Sequence, residues 1–316
     1  MTSGQAGASS VKTALDLVAF GRYSKDAPGN EVTVLNPTFF KQGTTDRKTD
    51  TWEEYQPPEL PISHSEEQEV KETSFRIGNQ KTATVVEYKI DLPISRELFR
   101  DAQHGIIAES TRGSAEKQID ARNRGGMDTS YNDAFTGTNV TTPDGDALLS
   151  NSHTTLSGDT VDNLETGSLN PDNFETLINS LELQKDQRGD WGGHRASGCI
   201  VPRSLHYDLR EITGSELRAN SGENNLNSIG DMYPGLVRGT SSWMHSNYNT
   251  LNTNANTSYV LVSDNHQIYR VVREGMFTEL VPWQYDKKDR FIYKGRFAEY
   301  VVPRTWTGTA GSNGSV

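Results

Sequence analysis

The chain is short of cysteine. Its 316 residues hold one, Cys199, within Gly198-Cys199-Ile200-Val201-Pro202. One cysteine cannot close an intrachain disulfide, so the fold does not depend on oxidation. A nucleophilic thiol needs a positioned base, and the neighbouring sequence offers none, so Cys199 reads as a buried, inert thiol. Long hydrophobic runs are missing too. No segment approaches the ~18 apolar residues of a membrane-spanning helix. The start of the chain has neither the basic region nor the apolar stretch of a secretory leader, and the expected compartment is a reducing cytoplasm. Positive charge is scarce: 31 Lys and Arg stand against 42 Asp and Glu, a net charge of -11. Phosphate contacts need a basic face, which argues against direct gripping of nucleic acid. A container for nucleic acid remains compatible with this charge. Apolar residues make up only 33% of the chain. Asn, Thr, Ser and Gly fill the gap, as in a chain whose arms and loops are ordered by a neighbouring subunit, or in a loop-rich monomer.

Catalytic signatures are also lacking. There is no Gly-x-Ser-x-Gly, no phosphate-binding Walker loop, no dinucleotide fingerprint and no His-Glu-x-x-His. The seven histidines are scattered; His194 and His206 are too far apart for a metal pair on one helix. Residues 189–193 place Asp190 and Trp191 where a phosphate cradle needs bare amides and a following lysine. The acidic residues 66–72 lack the alternating ligand spacing of a calcium loop. No catalytic residue, metal or cofactor is expected.

What the chain does have is a succession of short elements and polar connections. Residues 1–10 are small and polar and are expected to be mobile. Ser10 suits the N-cap of a short amphipathic helix on which Val11, Ala14, Leu15 and Val18 share a face. Residues 22–50 read as an extended arm with turns at Pro28-Gly29 and Asn36-Pro37. Then come Trp52-Glu53-Glu54-Tyr55, the stretch Pro57-Pro58-Glu59-Leu60-Pro61, and Glu66-Glu67-Gln68-Glu69-Val70-Lys71-Glu72. These are too charged for core. The β-branched run Thr82-Ala83-Thr84-Val85-Val86 follows, so residues 51–92 read as a long two-stranded excursion with a charged tip. A disordered acidic loop is the competing reading.

Pro93 opens a helical pattern with Ile94, Leu98 and Ala102 on one face. After Gly105 a longer pattern runs on toward Phe135, a rod of roughly 45 Å at ~1.5 Å per residue. Gly113 and Gly125-Gly126 weaken it, and a kink or break is expected there. Residues 136–169 read as loop. Asn170-Pro171 starts a helix with Phe174, Leu177, Ile178, Leu181 and Leu183 as its apolar face. Residues 196–201 form a buried strand, and Pro202 leads into a helix carrying Leu205, Leu209 and Ile212. Residues 214–235 are polar loop. Strands follow at 259–262, 268–281 and 291–302, and the Gly-, Ser- and Thr-rich tail after Trp306 is expected to fray. The fold class is mixed α+β, without internal repeats.

Several of these segments, in order, resemble the HK97-fold major capsid proteins of tailed double-stranded-DNA bacteriophages. Ile94-Ser95-Arg96-Glu97-Leu98-Phe99-Arg100-Asp101-Ala102-Gln103-His104-Gly105-Ile106-Ile107 is similar to the lead-in to that family's spine helix. Ala121-Arg122-Asn123-Arg124 and Asn132-Asp133-Ala134-Phe135 resemble the helix end. Pro143-Asp144-Gly145-Asp146-Ala147-Leu148-Leu149-Ser150-Asn151-Ser152-His153, followed by Asn163-Leu164, resembles a string common just after that helix. Ile200-Val201-Pro202-Arg203-Ser204-Leu205 is similar to the strand-to-helix step of the axial domain. The likeness covers roughly residues 50–306.

The resemblance implies an HK97-like capsid fold with residues 1–50 as N-terminal arm and 51–92 as an extended β-hairpin E-loop. Residues 93–144 would be the peripheral domain with its spine helix, 145–265 the axial domain, and 266–316 the peripheral strands and C-terminal tail. It implies a homo-oligomer of pentamers and hexamers forming an icosahedral shell in the virion capsid, assembled in the host bacterial cytoplasm around double-stranded DNA that it does not read. A portal protein, a separate scaffold (or assembly without one) and decoration proteins are the implied partners, and no membrane is involved. Some members join subunits by a Lys–Asn isopeptide bond. Lys71 is the only obvious donor in the loop tip, and the three residues such a bond requires are not all assignable.

For the excursion, burying unpaired carboxylates against its own core is too costly. It is therefore expected to lie across a neighbour through Trp52, Glu53, Glu54, Tyr55, Glu66, Glu67, Glu69, Lys71 and Glu72. Each exposed ion pair there would contribute about 0–1 kcal/mol. Val11, Leu15 and Val18 are the expected contacts of the N-arm helix. A second reading keeps the fold but makes the chain an encapsulin-type nanocompartment shell, with the same helix turned to protein cargo. A third, a soluble enzyme, has no convergent side-chain cluster in its favour.

Overall fold

The computed structural model describes residues 12–13, 15–16, 31–59, 72–100, 104–217, 226–282 and 290–315. In chain order its elements are β1 (Lys41–Thr44), β2 (Thr49–Gln56), β3 (Arg76–Thr84), β4 (Val86–Ser95), α1 (Arg96–Arg100) and α2 (His104–Asp128). Then follow β5 (His153–Thr154), β6 (Thr160–Val161), β7 (Leu164–Glu165), α3 (Pro171–Glu182), β8 (Ala196–Pro202), α4 (His206–Gly214) and α5 (Ser228–Met232). The chain closes with β9 (Val237–Ser241), β10 (Tyr259–Ser263), β11 (Ile268–Val281), β12 (Arg290–Pro303) and β13 (Thr309–Ser312).

Two sheets organise these elements. The larger has the order β7-β13-β10-β8-β9. Its central strands β8 and β10 are apolar on both faces, as a strand covered from both sides must be. Cys199, Val201, Tyr259 and Leu261 face one cluster, which α3 and α4 complete with Phe174, Leu177, Leu181, Leu209 and Ile212. Ile200, Val260 and Val262 face the other, beside Phe39, Phe40, Tyr131 and Trp306. α3 starts as its sequence dictates: the Asn170 side chain accepts from the Asn173 N–H, and Pro171 takes the first turn, where a missing N–H costs nothing.

The second sheet has the order β1-β11-β12-β4, with β1 parallel to β11 and the remaining pairs antiparallel. Arg270 on β11 and Glu299 on β12 form a buried ion pair, and Arg270 also donates to Gln42 Oε1 on β1 at 3.0 Å. One residue thus ties three strands together. α2 crosses this sheet with a buried stripe of Ile107, Thr111, Ala115, Gln118, Arg122 and Met127, mostly polar or small. Its outer face carries the pairs Arg112–Glu116, Lys117–Asp120 and Arg124–Asp128.

Several expectations change. Pro93 and Ile94 lie in β4 and do not open a helix, which starts at Arg96. α2 ends at Asp128, short of Phe135, and is unbroken at Gly113. Gly125-Gly126 are points of close approach: a Cβ there would sit 2.4 Å from Tyr88 Oη and 2.3 Å from Val34 Cγ1. The second half of the expected arm is core, with Val34, Phe39 and Phe40 fully buried and β1 paired in a sheet. The tail is β13, buried along its length between β7 and β10. Residues 228–232, within the expected polar loop, are helical because Asn227 caps them, accepting from Ile229 N and Gly230 N. No helix among the described residues is long and apolar enough to cross a membrane.

A candidate assembly interface on the β2–β3 ribbon

Outside both sheets, β2 and β3 form a two-stranded antiparallel ribbon from the pair Thr49↔Thr84 to Gln56↔Arg76. The strand period sets its two faces. Thr51, Glu53 and Tyr55 stand opposite Thr82, Gln80 and Ile77 on an outward face. Toward the far end this face carries Tyr55 at 65% exposure and Ile77 at 55%, with Phe75 at 72% just beyond the ladder. Three large apolar side chains thus stand exposed at one end of the ribbon. The ribbon closes at Thr84. β4 leaves it and joins the sheet of β12 along the register Val86↔Glu299 to Ser95↔Arg290, so residues 86–92 are sheet rather than excursion.

The inward face binds the chain's own body. Trp52 Nε1 donates to Arg304 O at 2.8 Å, Lys81 Nζ to Thr141 Oγ1 at 2.6 Å, and Arg76 to Leu156 O at 3.1 Å. Glu54 is 2% exposed. Gln187 donates to one of its oxygens at 3.3 Å. Burial, with the nearby Asp144 charge adding to it, lifts the Glu54 carboxyl to about 7 against bonds from Asn79. Glu54 was expected to lie across a neighbour. It lies on its own chain instead, and holding a proton is how a carboxyl tolerates that burial.

The other expected contacts divide. Glu53 is exposed and accepts from Gln80 at 3.3 Å, and Glu72 is exposed. Glu66, Glu67, Glu69 and Lys71 lie outside the described residues, as do Val11 and Val18. Leu15 is buried with Ile94, Ile107, Ala115 and Tyr293. Next to it, Asp16 accepts from Lys12 and Thr278 at 2.6 Å and Tyr293 at 2.9 Å. These bonds outweigh burial and hold the Asp16 carboxyl below its ordinary range.

The string from Asp144 to Asn163 has a structural purpose. His153 is fully buried, stacks on Trp306 at 4.9 Å, and sets its ring nitrogens 2.7 Å from Asp144 Oδ2 and 3.2 Å from Leu148 O. Burial pushes Asp144 up, but bonds from His153 and Thr142 prevail and keep it low. Asn163 donates to Leu148 O at 3.0 Å and Thr309 O at 3.2 Å. Asp144, Asp146 and His153 are the one trio of metal-ligand type gathered among the described residues. Both ring nitrogens of His153 already face acceptors, so the trio is a hydrogen-bonded knot and not a metal cradle. At the helix end, Asp133 accepts from the N–H groups of Thr138, Asn139 and Val140 at 2.7–2.8 Å and anchors that loop. Cys199 is fully buried, and burial drives its thiol far up, which removes it as a nucleophile.

No protein-family model and no curated protein sequence matches the chain. Solved structures do. The capsid of an empty GTA particle aligns at TM-score 0.56 and 9% identity, over 95% of this chain and 98% of its own. The capsid of Myoviridae phage XM1 aligns at 0.54 and 10%, over 92% and 94%. A virus-like particle from Pyrococcus furiosus aligns at 0.52 and 8%, over 95% and 98%. The chain has the HK97-like capsid fold.

Proposed function

We propose that this chain is the major capsid protein of a tailed double-stranded-DNA phage. The carrying observation is the extent of the likeness: capsid subunits match over nearly the whole of both chains. The exposed Tyr55, Phe75 and Ile77 support it, since they are apolar surface one chain leaves for another. In this reading the ribbon is the E-loop, α2 is the spine helix, the sheet of β11 and β12 belongs to the peripheral domain, and the five-stranded sheet belongs to the axial domain. Pentamers and hexamers close an icosahedral shell in the host cytoplasm, with a portal protein and, where present, scaffold and decoration proteins as partners. The nanocompartment reading relied on a free N-terminal helix, and Leu15 of that helix is seated in its own subunit's core.

Light scattering on purified protein is expected to give capsomers or particles far above 35.0 kDa, and electron micrographs closed shells. A compact monomer at every concentration would end the reading.

The net charge of -11 predicts a wall that does not cling to its contents. Unassembled subunits are expected to show no micromolar affinity for duplex DNA at physiological salt. A steep, linear fall of log K with log salt, the mark of counterion release, would contradict this.

A further inference from the structure

The ladder of the ribbon stops at Gln56↔Arg76, and beyond it the strands no longer hold each other. There a side chain from elsewhere takes over. Arg188 Nε donates to Pro57 O at 2.8 Å, and another of its nitrogens donates to Ser74 O at 3.0 Å. A third stands 3.4 Å from a Glu59 carboxylate oxygen. The guanidinium therefore bridges the two limbs on either side of residues 60–71, the acidic stretch that holds Glu66, Glu67 and Glu69 against Lys71. Only 15% of the side chain is exposed, so these are sheltered, charge-assisted bonds.

The turn that presents Arg188 is itself fixed. Gly189 N donates to Asp186 O at 3.1 Å, and Asp186 N to Asp190 O at 2.8 Å. The Asp186 carboxylate accepts from Arg188 N at 2.8 Å and Asp190 N at 3.0 Å. Gly189 takes φ +92°, a conformation other residues adopt only under strain. The two residues at the crown of this turn, Gln187 and Arg188, both reach the ribbon: Gln187 to Glu54, Arg188 to the limbs beyond it. The Arg188 bonds go to main-chain carbonyls, so they constrain where the backbone lies whatever side chains stand at 57 and 74.

We propose that Arg188 is a positioning residue for assembly: its guanidinium collars the two limbs at Pro57–Glu59 and Ser74 and sets where on the body the exposed end of the ribbon, with Tyr55, Phe75 and Ile77, is offered to a second copy of the chain. This rests on the shell reading above. A guanidinium is required because three acceptors in different directions need a planar fork of donors; a lysine ammonium is compact and its stem flexible.

The test uses the full chain with nitroxide labels at Glu72→Cys and Asp208→Cys, both exposed sites, with Cys199 buried and unreactive. Labelled chain is diluted into unlabelled chain, so measured distances are within one subunit. In Arg188→Ala the distance distribution is expected to widen about twofold and the yield of closed particles to fall about tenfold, as for a site whose supporting contacts are lost. The thermal midpoint is expected to stay put. Arg188→Lys, which keeps the charge and most of the stem, should fall between the two and covers the case in which the alanine variant misfolds. An unchanged distribution in both variants overturns the proposal. So does a widened distribution with wild-type particle yield. Wild-type protein that never assembles refutes the shell reading, and the assembly claim with it; the label distribution then still decides whether Arg188 holds the limbs.

Discussion

A chain truncated after Gly308 is expected not to fold its five-stranded half. β13 is an inner strand, parallel to β7 on one side and antiparallel to β10 on the other. Its removal strips Tyr259, Leu261 and their neighbours of ladder partners, and leaves Asn163 and Gln184 without the Thr309 carbonyl they share. Each buried polar group left unpaired costs about 1–3 kcal/mol. Several at once match the roughly 5–15 kcal/mol by which a typical domain is stable. Aggregation, or a soluble product without the near-ultraviolet circular dichroism of packed aromatics, is the expected readout. A truncated chain that melts within about 2 °C of full length would mean the strand carries no weight. The single substitution Gly311→Val probes the same contact more gently, because a Cβ there would lie 2.3 Å from Leu149 Cδ1.

Glu54→Gln is expected to stabilise the subunit at pH 8 and leave it nearly unchanged at pH 4. The folded chain holds the Glu54 proton to about pH 7, whereas the ordinary carboxyl releases it near 4.5. Below the lower value both folded and unfolded chains are protonated, and burial of the acid carries no charge penalty. Between the two values the unfolded chain loses its proton first, so stability falls as pH rises. Above the upper value the loss is complete, on the order of 3 kcal/mol. Glutamine keeps the shape and cannot ionise, so it removes that loss. Urea unfolding of both proteins at the two pH values measures it. An equal shift at pH 4 and pH 8 would show that charge is not the cause.

Much of the architecture was legible because its signals are local. The strands at 268–281 and 290–303 announce themselves by β-branched and aromatic content, and the helix at 171–182 by its Asn-Pro start and its apolar period. Residues 31–44 were misread because nothing near them marks them as core. Phe39 and Phe40 pack on Tyr131, whose hydroxyl donates to Phe39 O at 2.8 Å, and β1 pairs with a strand beginning at Ile268. Such partners are invisible to a window of ten or twenty residues. β13 was misread for the opposite reason. Thr309-Ala310-Gly311-Ser312 looks like a frayed end because its side chains are small, and at Gly311 the absence of a side chain leaves room for Leu149. At the ribbon, Glu53 and Tyr55 are exposed as the pattern suggests, but Phe75 and Ile77 were not singled out, and Trp52 turns inward to Arg304. The burial of Glu54 did not follow from pattern, since a glutamate in sequence carries no mark of whether it will keep its proton. Arg188 lies more than a hundred residues from the carbonyls it grips, and only the fold brings it there.

The pairing of β1 with β11 also bears on when the protein can begin its work. Gln42 meets Arg270 across 228 positions of chain, Glu31 is engaged by Ser242, and Trp52 by Arg304. During synthesis at about 5–20 residues per second, the early segments wait on the order of tens of seconds for the partners that bury them. A nascent chain therefore has neither sheet complete until β12 and β13 emerge. On the shell reading, subunits whose β12 and β13 have not yet emerged cannot present a finished surface to one another.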